Sequence, residues 1–436
     1  GKKVSSCLLL IYVTIQIKRI ILKIKKSLLS ILLISNVGFA SEICKINSDE
    51  LLTSLVTNHP SIKMSNEIIK SSQERINEAF WNFFPTPSVD VSVRDSDRHL
   101  TTARVEQPIW TGGKLTSKYD IATSKELENV FGLQETSYNL IENFLSLLNI
   151  YMQSKANLIE LEEGLKNLNN FDNMLNRRME AGVSSNSDKN LLNARIEQIN
   201  SEIMLAQNRY KTSILQLELM LDSKIDCNIN LKEISYSNTN IEDSINKLIS
   251  FHPTLRKAQV QIATTKYELE NTKATYMPNL SIRAEHRDGD LYEKNYNGNS
   301  NDNIVYMNLS LTTGAGLSAK SNIAASKIRI NEIEYLKQAT QRELVDKLLN
   351  DYNQYEDTKS RMKVVERSII SAQDVLDSYT RLFLASKRQW IDLVNASREL
   401  MEYKVELANL KVTEDILAYK LALKNGQIDL LNGEVK

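Results

Sequence analysis

The chain has 436 residues with equal numbers of basic and acidic side chains, 54 of each, and only 13 glycines and 6 prolines. Seven basic and no acidic residues lie in residues 1–40, so the rest of the chain is acidic overall, with 47 basic against 54 acidic residues. Nucleic-acid binding requires a basic surface, and we therefore expect no nucleic-acid partner. The scarcity of glycine and proline favours long, uninterrupted secondary-structure elements.

The first 40 residues have the features of a secretory signal peptide. The lysines of residues 23–26 are followed by the apolar stretch Ser27–Val37, and Gly38–Ala40 supplies the small residues of a cleavage site. An apolar stretch of about 11 residues is too short to cross a bilayer. We predict cleavage after Ala40, with the residues before the lysines as an upstream extension. An uncleaved anchor that also uses the apolar run from Cys7 is the alternative.

Export would leave two cysteines in the mature chain, Cys44 and Cys227. Both stand in similar contexts, CKIN and CNIN. Because compartments outside the cytoplasm are oxidising, we expect a disulfide between them. Two unpaired thiols are the alternative.

Two stretches of the chain repeat each other, His59–Pro85 and His252–Pro278, with no gap and a constant offset of 193 positions. A repeat of this length indicates a duplicated half-protein rather than a solenoid unit. We therefore predict a first structural repeat over residues 41–230 and a second over 231–436. Each repeat opens with a helix that starts at the His-Pro pair, because proline suits the first helical turn.

A β-hairpin is predicted next in each repeat, over residues 87–110 and 279–313. The first hairpin alternates apolar with polar residues: Val89, Val91 and Val93 against Ser88, Asp90, Ser92 and Arg94. Strands of about 8–10 residues have the length that a tilted membrane strand needs. Each hairpin ends in a glycine-containing turn at 111–113 and 313–316.

Long proline-free stretches follow, Thr116–Ala181 and Leu317–Ala385. As helices of roughly 65 residues they would each be about 100 Å long. Apolar residues at alternating spacings of three and four continue over Leu192–Met220 and Leu393–Leu421, which is typical of coiled coils. We assign these stripes to packing. Short tips at residues 181–188 and 385–392 join the helices of each pair.

Each half is therefore helix, β-hairpin, long helix, tight tip and long helix, an α+β fold that is mainly α. Four strands cannot close a barrel, and open sheet edges are not tolerated in lipid. If the strands span a membrane, several chains must contribute them.

In this order and repeated twice, the motifs resemble TolC-like outer-membrane channel proteins of the outer membrane efflux protein family, over about residues 45–430. They are the His-Pro helix, the proline before each hairpin, the segment Gln107–Leu115 (QPIWTGGKL) and the Ala-Gly…Asp tip at Ala181–Asp188. The resemblance implies a homotrimer whose helices form an α-barrel and whose strands form a shared 12-stranded transmembrane β-barrel in outer-membrane lipid. It also implies a periplasmic adaptor protein and an inner-membrane ABC or proton-driven pump as partners, and no cofactor or metal.

The resemblance places the functional residues at the tips. Those implied to dock the adaptor are Gly182, Val183, Ser184, Asp188, Ser386 and Trp390, with Trp390 expected to be an exposed aromatic anchor. Those implied to constrict the periplasmic entrance are Arg388, Asp392 and Asn395. The second tip departs from the family pattern, since Ser386 replaces a glycine and Asn395 an aspartate. An ordinary solvated helix-start pair is the alternative for Arg388 and Asp392.

These features predict an outer-membrane exit channel of a tripartite export system in a Gram-negative bacterium, serving type I secretion or efflux. The alternative is a periplasmic coiled-coil scaffold or adaptor protein without a membrane barrel. We expect no enzyme activity, because the sequence has no G-x-S-x-G nucleophile motif and its four histidines are too scattered for a zinc cluster.

Overall fold

The structure is a computed structural model that describes residues 45–94, 98–225, 228–232, 236, 240–289, 301–316 and 318–431. The signal sequence, Cys44 and Cys227 lie outside the described residues, so the cleavage site and the disulfide stay predictions. The described residues of Ile46–Ile225, and those from Ile229 onwards, belong to one compact unit.

Eight helices and six strands lie within the described residues. In chain order they are β1 (Lys45–Asn47), α1 (Ser48–Asn58), α2 (Pro60–Trp81), β2 (Thr86–Arg94), β3 (Arg98–Trp110), α3 (Lys114–Glu180), α4 (Asn186–Leu221), β4 (Asn228–Asn230), α5 (Ile241–Phe251), α6 (Pro253–Thr275), β5 (Asn279–Gly289), β6 (Asn301–Ser310), α7 (Ser318–Leu384) and α8 (Trp390–Lys424). Strands β1 and β4 form a two-stranded sheet.

The long helices α3 and α7 have the same length, 67 residues. Their buried positions coincide at an offset of 204: Phe144, Tyr151 and Leu161 in α3 match Leu348, Tyr355 and Val365 in α7. One expectation needs correction. The His-Pro helix is not the first helix of each repeat, because the 11-residue helices α1 and α5 end directly before His59 and His252.

Both histidines cap the helix that follows them. The Nδ1 atom of His59 accepts a hydrogen bond from the Ser61 amide at 3.1 Å, and Nδ1 of His252 accepts one from the Thr254 amide at 3.3 Å. Pro60 and Pro253 then occupy the first turn, where no amide hydrogen is required. The duplicated His-Pro pair therefore caps the N-terminus of a helix in both halves.

The two capping histidines differ in burial. His252 is buried against the ring of Tyr138, with ring centroids 4.4 Å apart, whereas His59 is half-exposed. The pKa of His252 is lowered to about 4, chiefly by burial; Glu135 opposes this shift, and Lys424 and Lys347 add to it. The imidazole of His252 is therefore neutral in the folded protein at neutral pH.

The four longer strands form one antiparallel sheet in the order β2-β3-β5-β6. Ser88 lies opposite Arg104, which in turn lies opposite Glu285, so these residues share one face of the sheet. On the other face, Val89 lies opposite Ala103, and the side chains of Val89, Val91, Val93, Val305, Met307 and Leu309 are exposed. The predicted alternation therefore separates a polar face from an apolar one.

The helices pack as two antiparallel pairs, α3 with α4 and α7 with α8, and α3 also packs against α6 and α8. The predicted stripe residues Leu192, Ile199, Leu393 and Leu400 are buried between the helices. Ser213, which interrupts the first stripe, is buried as well, and its hydroxyl donates to the carbonyl oxygen of Tyr210 at 2.8 Å. Among the described helices, none is long and apolar enough to cross a membrane.

Candidate functional site

The first tip, between α3 and α4, is stabilised by local hydrogen bonds. Gly182 adopts the left-handed conformation (φ 73°) directly after α3. The Asp188 amide donates to Ser185 Oγ at 3.3 Å, and the Ser185 amide donates to Asp188 Oδ2 at 3.1 Å. Asp188 therefore closes a capping box at the start of α4. Val183 lies exposed at the turn.

The second tip, between α7 and α8, has neither the glycine at the turn nor the capping box of the first tip. Ser386 occupies the position equivalent to Gly182 and adopts a left-handed conformation (φ 56°) that is unfavourable for residues with a Cβ. Gln389 stands at the cap position of α8, and its side chain makes no capping hydrogen bond. The backbone bonds of the turn are kept, from the Ser386 amide to Phe383 and from the Lys387 amide to Leu382, but no side chain caps α8.

Arg178, near the end of α3, contacts the second tip through its side chain. Its Nη2 donates to Ser386 Oγ at 3.1 Å, and its guanidinium carbon lies 4.5 Å from the centre of the Phe383 ring. Its Nε also donates to Ser184 Oγ at 3.4 Å, in its own tip. Arg178 therefore ties the two tips together. The sequence signal was only a basic last turn in α3, which does not indicate a partner on the other helix pair.

The expectation of an exposed Trp390 is wrong. Trp390 is only 3% exposed and packs between Phe383, with ring centroids 5.1 Å apart, and Phe171 at 6.1 Å in an edge-to-face arrangement. The first residue of α8 thus anchors the second tip to α3, because aromatic rings bury large areas in such pairs. It does not present a surface for a partner in this conformation of the chain.

Of the three residues assigned to the entrance, Arg388 lies in the tip just before α8, and Asp392 and Asn395 lie near the start of α8. Arg388 Nη1 forms an ion pair with Asp392 Oδ2 at 3.3 Å, one helical turn away, and its guanidinium carbon lies 4.5 Å from the Tyr379 ring centre. Both charged side chains are partly exposed, and Asn395 is exposed. Because both side chains are partly exposed, their charges are accessible to solutes and partners. An exposed ion pair of this kind contributes little to stability.

The polar face of the sheet is the second candidate site. Glu285 is buried there and accepts hydrogen bonds from Arg104 Nε at 2.6 Å, Arg287 Nη2 at 2.7 Å and the Tyr306 hydroxyl at 2.8 Å. Arg283 forms a further ion pair on this face, at 3.0 Å from Glu106. One sheet face is therefore a network of fixed charges, while the opposite face carries the exposed apolar side chains of β2 and β6, which no other described element covers.

Comparison with known proteins agrees with this architecture. Residues 244–423 match the family model described as "Outer membrane efflux protein". The alkaline protease secretion protein AprF of Pseudomonas aeruginosa is 20% identical over 330 residues, which cover 73% of this chain and 67% of AprF.

Two solved structures show the same fold. CusC superimposes with a TM-score of 0.75 at 13% identity, covering 90% of this chain and 95% of CusC. The outer membrane protein VceC from Vibrio cholerae superimposes with a TM-score of 0.74 at 13% identity, covering 89% of this chain and 97% of VceC.

The long helices and the four-stranded sheet have the fold of these solved membrane proteins. Residues 244–423 form a domain of the outer membrane efflux protein family, a family of channels rather than enzymes. VceC is an outer membrane protein, in agreement with the outer-membrane localisation predicted from the sequence.

Proposed function

We propose that the protein is the outer-membrane exit channel of a tripartite export system, a passive duct supplied by an inner-membrane pump and a periplasmic adaptor. The observation that carries the proposal is the four-stranded sheet, exposed and apolar on one face and ion-paired on the other. It is joined to helices of 67 residues, each about 100 Å long. Lipid would contact the apolar face, and a water-filled lumen would solvate the charged face.

The sheet requires more than one chain to be stable in lipid. Its outer strands, β2 and β6, each pair on one side only within the described residues. Unpaired strand edges are not tolerated in a bilayer, so three copies closing a 12-stranded barrel supply the missing partners. Val89, Val91 and Val93 then face lipid, while Ser88, Asp90 and Ser92 face the lumen; the side chain of Arg94 lies outside the described residues.

An aromatic cluster supports the position of the membrane. At the end of α2, just before β2, the rings of Phe80, Trp81 and Phe84 contact one another at 5.2 to 6.2 Å while remaining exposed. Amphipathic aromatic residues collect where a membrane meets water. The cluster therefore marks the periplasmic edge of the bilayer, with the helices below it and the strands above it.

The two tips form the adaptor-facing end of the duct. Gly182, Val183, Ser184 and Ser386 lie at the turns, where an adaptor can reach them, and Asp188 fixes the first turn. Arg388, Asp392 and Asn395 line the entrance in this proposal, where a ring of carboxylates would favour cations. In planar bilayers, Asp392→Ala is expected to change the single-channel current and its cation preference. An unchanged current and preference would remove Asp392 from the entrance.

The cargo is proposed to be protein. AprF, whose name describes secretion of an alkaline protease, resembles this chain over most of its length, and an ABC exporter would then be the pump. Deleting the gene should retain a secreted protein inside the cell without changing resistance to small toxic compounds. Loss of resistance with normal protein secretion would assign the duct to efflux instead.

Detergent extraction tests the channel proposal against a soluble coiled-coil scaffold. Mature protein from outer-membrane fractions is expected to require detergent and to migrate as a heat-resistant trimer before boiling. Recovery as a free monomer in a periplasmic extract would reject the channel and favour the scaffold.

A further inference from the structure

Two ion pairs join the repeats on the polar face of the sheet. Strand β3 belongs to the first repeat and β5 to the second, and we call the line where they pair the seam. Arg104 on β3 pairs with Glu285 on β5, and Glu106 on β3 pairs with Arg283 on β5. Each arginine at the seam therefore has a carboxylate from the other repeat beside it.

Glu285 is the most enclosed of these charged residues. Its side chain is 1% exposed, because the guanidinium groups of Arg104 and Arg287 and the hydroxyl of Tyr306 surround its carboxylate. The side chains of Arg104 and Arg287 are 33% and 45% exposed. Solvent on this face therefore meets the two guanidinium groups, while the carboxylate that balances them is enclosed.

The polar face is close to charge balance along the strands whose side chains the structure describes. It carries three arginines and four carboxylates: Arg104, Arg283, Arg287, Asp90, Glu106, Glu285 and Asp302. Asp302 lies opposite Arg287 on β6. The cross-strand neighbours of Arg104, in contrast, are Glu285 and the uncharged Ser88. A neutral residue at position 285 would therefore leave Arg104 free to bind anions.

The first hairpin has a different residue at the corresponding place. With the offset of 193 continued into the first strand of each hairpin, Ser92 is equivalent to Glu285. Ser92 is exposed and carries no charge. The enclosed carboxylate therefore belongs to the second hairpin and is not repeated in the first.

We propose that Glu285 sets the ion preference of the sheet by keeping Arg104 and Arg287 paired, so that this part of the duct does not retain anionic groups. The inference rests on the proposed channel and adds to it a specificity-determining residue in the sheet rather than at the tips. A carboxylate on a passing solute would have to displace Glu285. The charge-assisted hydrogen bonds and fixed position of Glu285 favour the pairs within the chain.

A purely structural role at the seam is the competing interpretation. The backbones of β3 and β5 already pair from Leu100 opposite Gly289 to Trp110 opposite Leu280. The register of the seam is therefore defined without the ion pairs. A structural role would change the stability of the oligomer on substitution, whereas the proposed role changes which ions pass through it.

Reversal potentials of the full-length, detergent-extracted protein in planar bilayers separate the two roles. Under a gradient of potassium chloride, Glu285→Gln should shift the ratio of cation to anion permeability towards chloride by roughly two- to threefold, because a unit charge about 8 Å from an ion in water changes the local ion concentration by about that factor. Asp288→Asn is the matched control, because Asp288 lies on the same strand and is exposed on the opposite face. It should leave the ratio unchanged.

A second variant covers the case in which Glu285→Gln fails to assemble. Arg287→Gln leaves the pair of Arg104 and Glu285 across the seam intact and should shift the ratio the other way, towards potassium. An anionic peptide supplies a further readout. Hexaglutamate added to one side should reduce the current of Glu285→Gln and leave that of the unmodified protein unchanged.

The outcomes separate this inference from the channel proposal. An intact heat-resistant oligomer whose permeability ratio is unchanged in Glu285→Gln, or in Arg287→Gln where the first variant does not assemble, would overturn the role of Glu285 and leave the channel in place. An equal shift in Asp288→Asn would also overturn it, because a charge on the opposite face would then act alike. Absence of current from the unmodified protein would instead reject the channel.

Discussion

At the first tip, Ser185 and Asp188 bond each other's backbone amides, whereas at the second tip Gln389 stands at the cap position without a side-chain bond. The second tip relies instead on Trp390, buried against α3, and on Arg178, which reaches it from α3. Duplication therefore preserved the order of elements but not the contacts that hold them. The second repeat therefore depends on the first in two places, at buried His252, which packs on Tyr138, and at its tip.

The largest loss of stability is expected when Trp390 is replaced, because its buried ring packs the second tip against α3. Trp390→Ala should lower the free energy of unfolding by about 3–5 kcal/mol, as for other buried aromatic side chains. Trp390→Phe should cost much less, since it keeps a ring between Phe171 and Phe383. Val183→Ala at the exposed first tip is the control. Thermal unfolding of the purified protein measures all three, and equal effects at both tips would contradict the asymmetry.

The buried histidine should make stability depend on pH. The pKa of His252 in the folded protein, about 4, is below its ordinary value of 6.5. The unfolded chain therefore binds the proton more readily, and stability present above pH 6.5 is lost as the pH falls towards 4. The loss is about 3 kcal/mol at full protonation. His252→Asn, which keeps a capping acceptor, should flatten this dependence.

Urea unfolding of the unmodified protein and of His252→Asn, each at pH 7 and pH 5, measures the pH dependence of stability in both. His59→Asn is the matched control, since His59 caps its helix in the same way but is half-exposed. A pH dependence that survives in His252→Asn would show that another group causes it.

Arg178 should matter more for the second tip than for the first, where its one side-chain bond is the 3.4 Å contact with Ser184. Arg178→Ala removes the hydrogen bond to Ser386 and the contact with the Phe383 ring, a loss of about 1–2 kcal/mol. Hydrogen exchange should accelerate at residues 384–389. Arg177→Ala is the control, because Arg177 is exposed and its Nε donates to the Asn173 carbonyl oxygen of its own helix, at 3.2 Å. Faster exchange confined to residues 181–185 would contradict the assigned role.

The smallest changes in stability are expected from substitutions at the two turns, and they should have opposite signs. Ser386→Gly relieves a left-handed residue but loses the bond to Arg178, so we expect a gain of about 0.5 kcal/mol or less. Gly182→Ala should lose about 1 kcal/mol from backbone strain alone, because a Cβ at Gly182 would have no atom within 4 Å. Unfolding midpoints of the two variants measure this difference, and shifts of the same sign would contradict it.

Much of the fold could be predicted because its signals are local or repeated. The His-Pro offset, the alternation in β2 and the stripes of α4 and α8 each identify an element without knowledge of its neighbours. Burial of Trp390 could not be predicted, because it depends on Phe171 and Phe383 in two other helices. Arg178 was missed for the same reason, since Ser386 lies 208 residues further along the chain.

Reconstitution of the purified, detergent-extracted protein into planar lipid bilayers is the most direct test of the duct. Discrete current steps that require the oligomer and are abolished by its dissociation are predicted, because the charged sheet face would then line a continuous aqueous path. Protein that inserts as an intact oligomer and passes no current, even with Arg178→Ala releasing the second tip, would contradict a channel.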